Sequence, residues 1–432
     1  MAIELKKIGY SYSNREFSPR AVAHAFRFIS ALTGIGFVED LRSPEIFRGE
    51  VEIPKGARVV LGTRLVNGPS PVESEYIAID DDPVGGILRL VSTETKMGPF
   101  RDKEGPGPGA YAPKISSLTG RLIEAMARAG IIPPRTRSIN LWPGNKRFGA
   151  AVTHDIDIAR RSIAGGFRLL FKKTPAGHMK GLVDTFRWKM GKIRNPYDRV
   201  PDWIEIEKEL GLISTYFVFA GERLHPDDPK YRLKDLSEGL DLIAERGSEI
   251  ALHTGIECHD GRYVAESKHA LEDRIKLPVR GTRPHYLSAD LPSYWKKAAE
   301  LGFSYSSCLG FDDDIGHYDG IDLPFFPFDK SDNAPVDLVE IPLMIMDCGM
   351  IGERAADSEE VINRGKAQID RTAESGGLVV LDWHQRTLYE PDYPGWGRLF
   401  LELTRHMIER DAYIDTMDGI ASLLRERMGE NK

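Results

Sequence analysis

The sequence predicts an α/β chain in which a parallel sheet of alternating strands and helices follows a smaller α+β unit. Three observations carry this. After Pro133 apolar runs of strand length alternate with helical patterns, which implies parallel pairing through right-handed crossovers. Reactive side chains follow several of these runs directly, where parallel sheets present functional groups. Finally, 432 residues, 41% of them hydrophobic, suffice for one large core and a smaller one. The expected domains are 1–135 and 136–432.

In the first domain Ala21–Leu32 has apolar residues at helical spacing and stops at Gly34. Ala57–Gly62 and Ile87–Val91 read as strands, Glu104–Pro113 as a loop, and Ile115–Ala129 as a second helix. The polar, Pro-containing stretch Pro133–Lys146 is the expected boundary. Beyond it strands are predicted at Phe148–Thr153, Ile213–Ala220, Glu249–Leu252, Pro278–Val279, Phe303–Ser306, Leu338–Leu343 and Gly377–Leu381. Helices are predicted at Asp202–Leu210, Leu236–Arg246, Val264–Ile275, Pro292–Leu301, Glu359–Glu374 and Trp396–Glu409. Seven such strands either close into a barrel or wind into an open sheet, and periodicity does not choose between them.

Charge and cysteine content narrow the function classes. A formal net charge of -7 supplies no global basic field, so nucleic acid is not an expected partner. Three cysteines without a CxxC pair fit a reducing compartment. The opening MAIELKKIGY lacks the apolar stretch of a secretory signal, and no window approaches the ~20 apolar residues of a membrane span. A cytoplasmic setting is the expectation. One segment departs from the acidic average: between Arg160 and Arg199 eleven basic residues accompany only Asp184 and Asp198, with Phe167, Leu170, Phe186 and Trp188 interleaved. It reads equally as a solvated helical insertion or as a basic lid making peripheral membrane contact.

Four strand ends carry chemistry. Asp155 and Asp157 follow the first strand, and two carboxylates so spaced can divide into a base and a metal ligand, although Asp also suits caps and turns. His253 ends the third strand, with Glu257, His259 and Asp260 close behind, a donor set that suits zinc; a lone histidine there would more often be structural. Arg283, in Gly281–Tyr286, can orient a carboxylate through its fork, and the Pro-His-Tyr turn can shape a sugar groove. An ordinary β-turn with a surface arginine is the plain alternative. In Leu381–His384, His384 can protonate a departing amine and Trp383 can offer an apolar face to a sugar. A capped strand end with a buried tryptophan accounts for that segment equally well.

Taken in order, these motifs resemble the polysaccharide deacetylase superfamily, the carbohydrate esterases related to nodulation-factor and chitin deacetylases. The resemblance lies with the branch that spells its first motif Thr-His-Asp-x-Asp, here Thr153–Asp157, after a Trp-Pro-Gly-x-Lys segment, here Trp142–Lys146. It covers roughly residues 140 to 425, and the N-terminal third looks like that branch's accessory domain. The resemblance implies a distorted seven-stranded (β/α) barrel and a divalent metal, zinc in the first instance. It further implies Asp155 as catalytic base, Asp157 and His253 as metal ligands, Arg283 as the residue positioning the base, and His384 as general acid. Three features depart from the usual pattern. The window for the second metal histidine holds Glu257 and Cys258, which leaves His259 or His285 as third ligand. Ile156 separates the two carboxylates, and Ser306 stands where an aspartate is usual, with Asp312, Asp313 and Asp314 nearby.

The reading favoured is a metal-dependent hydrolase that removes an N-acetyl or O-acetyl group from an amino sugar of a glycan or its precursor, with Tyr286 and Trp383 contacting the sugar. A metal-dependent amidohydrolase acting on a small cyclic amide is second. A catalytically silent glycan-binding barrel is third.

Overall fold

The computed structural model describes residues 7–12, 16–41, 44–48, 57–61, 77–79, 81–97, 112–163, 175–257, 260–352 and 354–429. The N-terminal part pairs five short strands, β1 (Ile8–Tyr12), β2 (Phe37–Glu39), β3 (Ile46–Arg48), β4 (Val59–Leu61) and β5 (Ile77–Ile79), in the order β2-β1-β3-β4-β5. All four pairings are parallel, a direction on which the expected small α+β unit was silent. Short apolar runs do not disclose strand direction. Helix α1 (Pro19–Thr33) begins at a Ser18 cap, and it ends where the sequence predicts, at Gly34, which adopts the left-handed region. Ile87–Val91, expected as a strand, lies instead in helix α2 (Pro83–Val91): Asp82 caps it and Pro83 opens its first turn. Most of the predicted loop Glu104–Pro113 lies outside the described residues.

Helix α3 (Ile115–Arg128) ties this part to the rest, because its first amides, Ile115 and Ser116, donate to the buried carboxylate of Asp322. One apolar core runs continuously beneath both sheets.

The second sheet holds the chemistry. Its strands are β7 (Phe148–Ile156), β8 (Thr215–Phe219), β9 (Glu249–Thr254), β10 (Gly281–Pro284), β12 (Tyr305–Ser306), β15 (Val339–Glu340), β16 (Ile345–Met346), β17 (Leu378–Asp382) and β18 (Ala412–Ile414). Short β6 (Thr95–Lys96) pairs with β11 (Asp290–Leu291), and β13 (Phe328–Asp329) with β14 (Ala334–Pro335), outside it. The order is β15-β12-β10-β9-β8-β7-β17-β16, every neighbour parallel, and β18 flanks the first half of β7. The fourth strand begins two residues beyond the predicted Pro278–Val279.

The predicted run Leu338–Leu343 supplies one edge strand, β15, and leads straight into the opposite edge strand, β16. Four residues cannot span more than ~18 Å between those edges. They also bond to both sides: Ile341 N–H donates to Ser306 O (2.9 Å) and Met344 N–H to Val380 O (3.2 Å). The sheet is therefore curled into a nearly closed parallel half-barrel, sewn by backbone rather than by a ladder. Beneath it Trp142 of the Trp-Pro-Gly segment lies across Gly149 of β7, a position where any Cβ would strike the indole, and donates its Nε1–H to Gly376 O (2.8 Å).

Candidate metal centre

Period-two alternation sorts the side chains of β7. Thr153 and Asp155 face the inside of the curl, and Asp157 follows at its rim, while His154 faces the helix layer. The neighbouring strand ends bring His253 (β9), Arg283 and His285 (β10) and His384 (after β17) to the same rim.

Asp157 is the hub. Its Oδ1 lies 3.3 Å from His253 Nε2 and 3.6 Å from His285 Nε2. Its Oδ2 lies 2.9 Å from His384 Nε2 and accepts from Arg386 at 3.1 Å. His253 donates through Nδ1 to the carbonyl of Arg283 (3.0 Å). A carbonyl only accepts, so Nδ1 carries a proton and Nε2 is the ring atom turned toward Asp157. Asp157 Oδ1 and His253 Nε2 are both buried and, among the described residues, have no hydrogen-bond partner. Such orphaned atoms are costly unless a further ligand meets them. Asp157, His253 and His285 present one oxygen and two imidazole nitrogens within 4.8 Å of one another, a donor set that fits a divalent transition metal such as zinc.

Around this triad sits a charged frame. Arg283 is fully buried over the ring of Phe217 (4.1 Å) and donates to Asp155 Oδ1 (2.8 Å), Asp382 Oδ1 (3.0 Å), Thr153 (2.9 Å) and Ser307 (3.1 Å). Burial alone would raise Asp155; the Arg283 guanidinium, with His253 and His384, outweighs it and holds the carboxyl below its usual range. Asp382 shares the same arginine with Asp155, and burial, reinforced by that second carboxylate, pushes it up to about 7. His384 donates through Nδ1 to Asp347 (2.7 Å), which also accepts the His384 amide (2.9 Å). Burial opposes its protonation, but Asp347 and Asp157 prevail and raise it well above the ordinary histidine value. His285 goes the other way, down to about 4, because burial dominates; a neutral imidazole is the form a metal needs.

Asp347, Cys348 and His384 form a second group of potential ligand atoms. Asp347 already spends both oxygens on His384. Cys348 is exposed as a residue, yet its sulfur is tucked against the Asp312 carbonyl (3.7 Å), and burial with Asp347 beside it pushes the thiol up to about 12. It stays a thiol, so this group orients His384.

Most of the sequence-predicted residues meet here: Asp155, Asp157, His253, Arg283, His285 and His384 share the rim, with Tyr286 half-exposed beside His285 (rings 4.5 Å apart). His259 lies outside the described residues. Trp383 does not fit its expected place. It is completely buried and packs against Phe400 in the helix layer, because alternation from inward-facing Asp382 turns it outward, and it has no face to offer a sugar. Asp347, Asp382 and Arg386 were not anticipated. Ser306 donates to buried Glu340, which also accepts from Trp295 (2.8 Å) and the amides of Cys308 and Leu309. The acid beside Ser306 thus comes from the next strand, and Asp314 of the acidic run pairs with Arg364.

No family model and no curated protein matches the chain. Solved structures with a similar trace include a Mycobacterium smegmatis protein provisionally described as a polysaccharide deacetylase (21% identity, 66% of this chain and 93% of that one, TM-score 0.43). The PuuE allantoinase is similar at 14% identity (66% and 92%, TM-score 0.45), and the Bacillus subtilis family 4 carbohydrate esterase PdaA at 10% (65% and 83%, TM-score 0.31). At these identities and TM-scores the functional reading rests on the side chains of the rim.

Proposed function

We propose that the chain is a metal-dependent hydrolase that removes an acetyl group from an acetylated amino sugar. The observation that carries this is the pair of orphaned atoms, Asp157 Oδ1 and His253 Nε2, buried beside a carboxylate and an imidazole that are each held by a dedicated partner. Asp157, His253 and His285 would hold the divalent ion, which when bound supplies Lewis-acid activation of water and of an acyl carbonyl.

The remaining residues divide the proton traffic. Asp155, kept ionised by Arg283, takes the proton of the attacking water. His384, charged through Asp347, delivers a proton to the departing amine nitrogen, so that water and amide become acetate and a free amino sugar. Arg283 spans Asp155 and Asp382 and fixes the base at one angle. Tyr286, exposed at the rim, is the residue here that can lie against the sugar ring.

The test is acetate release from N-acetylglucosamine oligomers by zinc-loaded protein. Asp155→Asn is expected to fall to background with its metal retained. Asp347→Asn is expected to lose roughly 10²-fold in kcat, the usual range for a disabled general acid, and to shift the alkaline limb of the pH profile. Acetate release by Asp155→Asn equal to wild type overturns the assignment.

A further inference from the structure

Large apolar side chains left in solvent are unevenly placed on this molecule. Four of them, Met179, Val183, Phe186 and Met190, lie on helix α4 (Pro175–Lys189) and the turn that extends it, where Met190 N–H donates to Phe186 O (3.0 Å). Their spacing of four, three and four residues makes one stripe along one face. Three more, Ile158, Leu224 and Tyr286, stand on segments that leave the carboxyl ends of β7, β8 and β10. All seven therefore belong to the rim that carries the metal centre. Of the other four, Leu277 and Ile408 stand isolated at the other end of the strands, and Val38 and Leu41 lie on the N-terminal part.

The stripe is held outward by design of the opposite face. Leu182 is buried, Asp184 accepts from Tyr389 (2.8 Å), and Thr185 accepts from Arg161 (2.7 Å). Arg161 is itself buried and bonded to Asp392 (2.6 Å). Tyr389 and Asp392 belong to the segment that follows His384, so helix and site are fixed to each other. This also corrects part of the sequence reading: Arg161 is an internal anchor, not a free surface charge.

Charge then selects the occupant. From Met179 to Arg194 the chain carries Lys180, Arg187, Lys189, Lys192 and Arg194 in a protein of net charge -7; Arg187 pairs with Asp184 and Arg194 with Asp198 and Asp202, which leaves the three lysines to set the charge of the stripe. Lys180 and Lys192 make no ion pair among the described residues, and Lys189 lies over the Trp188 ring (4.4 Å). No helix among the described residues is long and apolar enough to cross a membrane. An apolar stripe bordered by cations and an amphipathic indole is the make-up of a helix lying in the headgroup plane of an anionic bilayer.

We propose that this rim docks on an anionic lipid surface through helix α4, bringing the mouth of the metal centre to headgroup level. The inference does not depend on the hydrolase reading, because binding is measured without turnover. The experiment is co-sedimentation of the full chain with phosphatidylglycerol–phosphatidylcholine vesicles and with phosphatidylcholine alone. Wild type is expected to bind the anionic vesicles, to lose binding with added salt, and to bind at least roughly tenfold more weakly as Phe186→Glu/Met190→Glu or as Lys189→Gln/Lys192→Gln. Ile408→Glu, at the far end, should bind as wild type. All changed residues are on the surface, and equal melting temperatures verify that the variants fold. No binding by wild type, or unchanged binding by Phe186→Glu/Met190→Glu, overturns the proposal. So does sedimentation showing that the same double variant splits a dimer of the chain.

Discussion

Strand β7 carries a histidine–carboxylate cluster on each of its faces, and the two differ in what is left over. On the outer face both ring nitrogens of His154 are used: Nδ1–H donates to Trp383 O (2.6 Å) and Nε2 bonds to Glu207 Oε1 (2.8 Å). That same oxygen also accepts from Ser214 (2.7 Å) and Tyr216 (3.1 Å), and Trp203, Tyr216 and Phe400 wall the imidazole in. On the inner side, two residues away, His253 and Asp157 each keep one buried atom without a hydrogen-bond partner among the described residues. Burial and residue type are the same in both places. Glu207 Oε2 is also unmet, but it stands alone; a carboxylate oxygen and an imidazole nitrogen left unmet 3.3 Å apart distinguish a group built to hold a ligand from one built to hold the fold.

Substitutions on the two faces should therefore fail differently. The largest effect expected is for Asp157→Asn, which removes the hub of the inner cluster: stoichiometric metal should disappear by elemental analysis, and acetate release should fall by about 10³-fold or more. Retention of full metal by Asp157→Asn would place the ion elsewhere and break the contrast. His154→Ala should leave metal stoichiometry intact while costing about 1–3 kcal/mol in urea unfolding, since it leaves buried Glu207 with only Ser214 and Tyr216 as partners. A His154→Ala protein that unfolds like wild type but has lost its metal would invert the assignment of the two faces.

How far this was legible in the sequence follows from the same geometry. Alternation within Thr-His-Asp-x-Asp is a local property, so Asp155 and Asp157 could be separated from His154 on paper. The same rule applied to Leu381-Asp382-Trp383-His384 would have put Asp382 inward and Trp383 in the core. A charged residue closing an otherwise apolar strand was the available signal for Asp382. The choice between His259 and His285 was not legible, because it depends on how a turn at the end of β10 is aimed, and Tyr286 there adopts a positive φ of 55° that no periodicity announces. Asp347 was hidden for a topological reason. It follows a two-residue edge strand, and it meets His384 only because the Ile341–Met344 segment carries the chain from one edge of the curl to the other. In the N-terminal part, a run of four apolar residues around Arg89 outweighed the Asp-Pro start signal that made it a helix.

A third kind of buried histidine sharpens the comparison with a smaller effect. His317 is 2% exposed, touches Thr372 Oγ1 (3.0 Å), and has no carboxylate within bonding reach among the described residues. Burial alone pushes it down to about 3, the opposite direction from His253 and His384. Between its ordinary value near 6.5 and that lowered value the unfolded chain binds a proton that the folded chain refuses. Stability therefore rises with pH across this window, and acidification below 6.5 removes it, by up to about 1.4 kcal/mol per pH unit from this one group. Other groups titrate there too, so the readable quantity is the difference between wild type and His317→Gln in urea unfolding at pH 7, 6 and 5. The variant is expected to lose less on acidification, with the two curves converging as pH falls. Parallel curves would mean that the folded protein accommodates the proton on His317, and that a buried imidazole here needs no carboxylate to become charged.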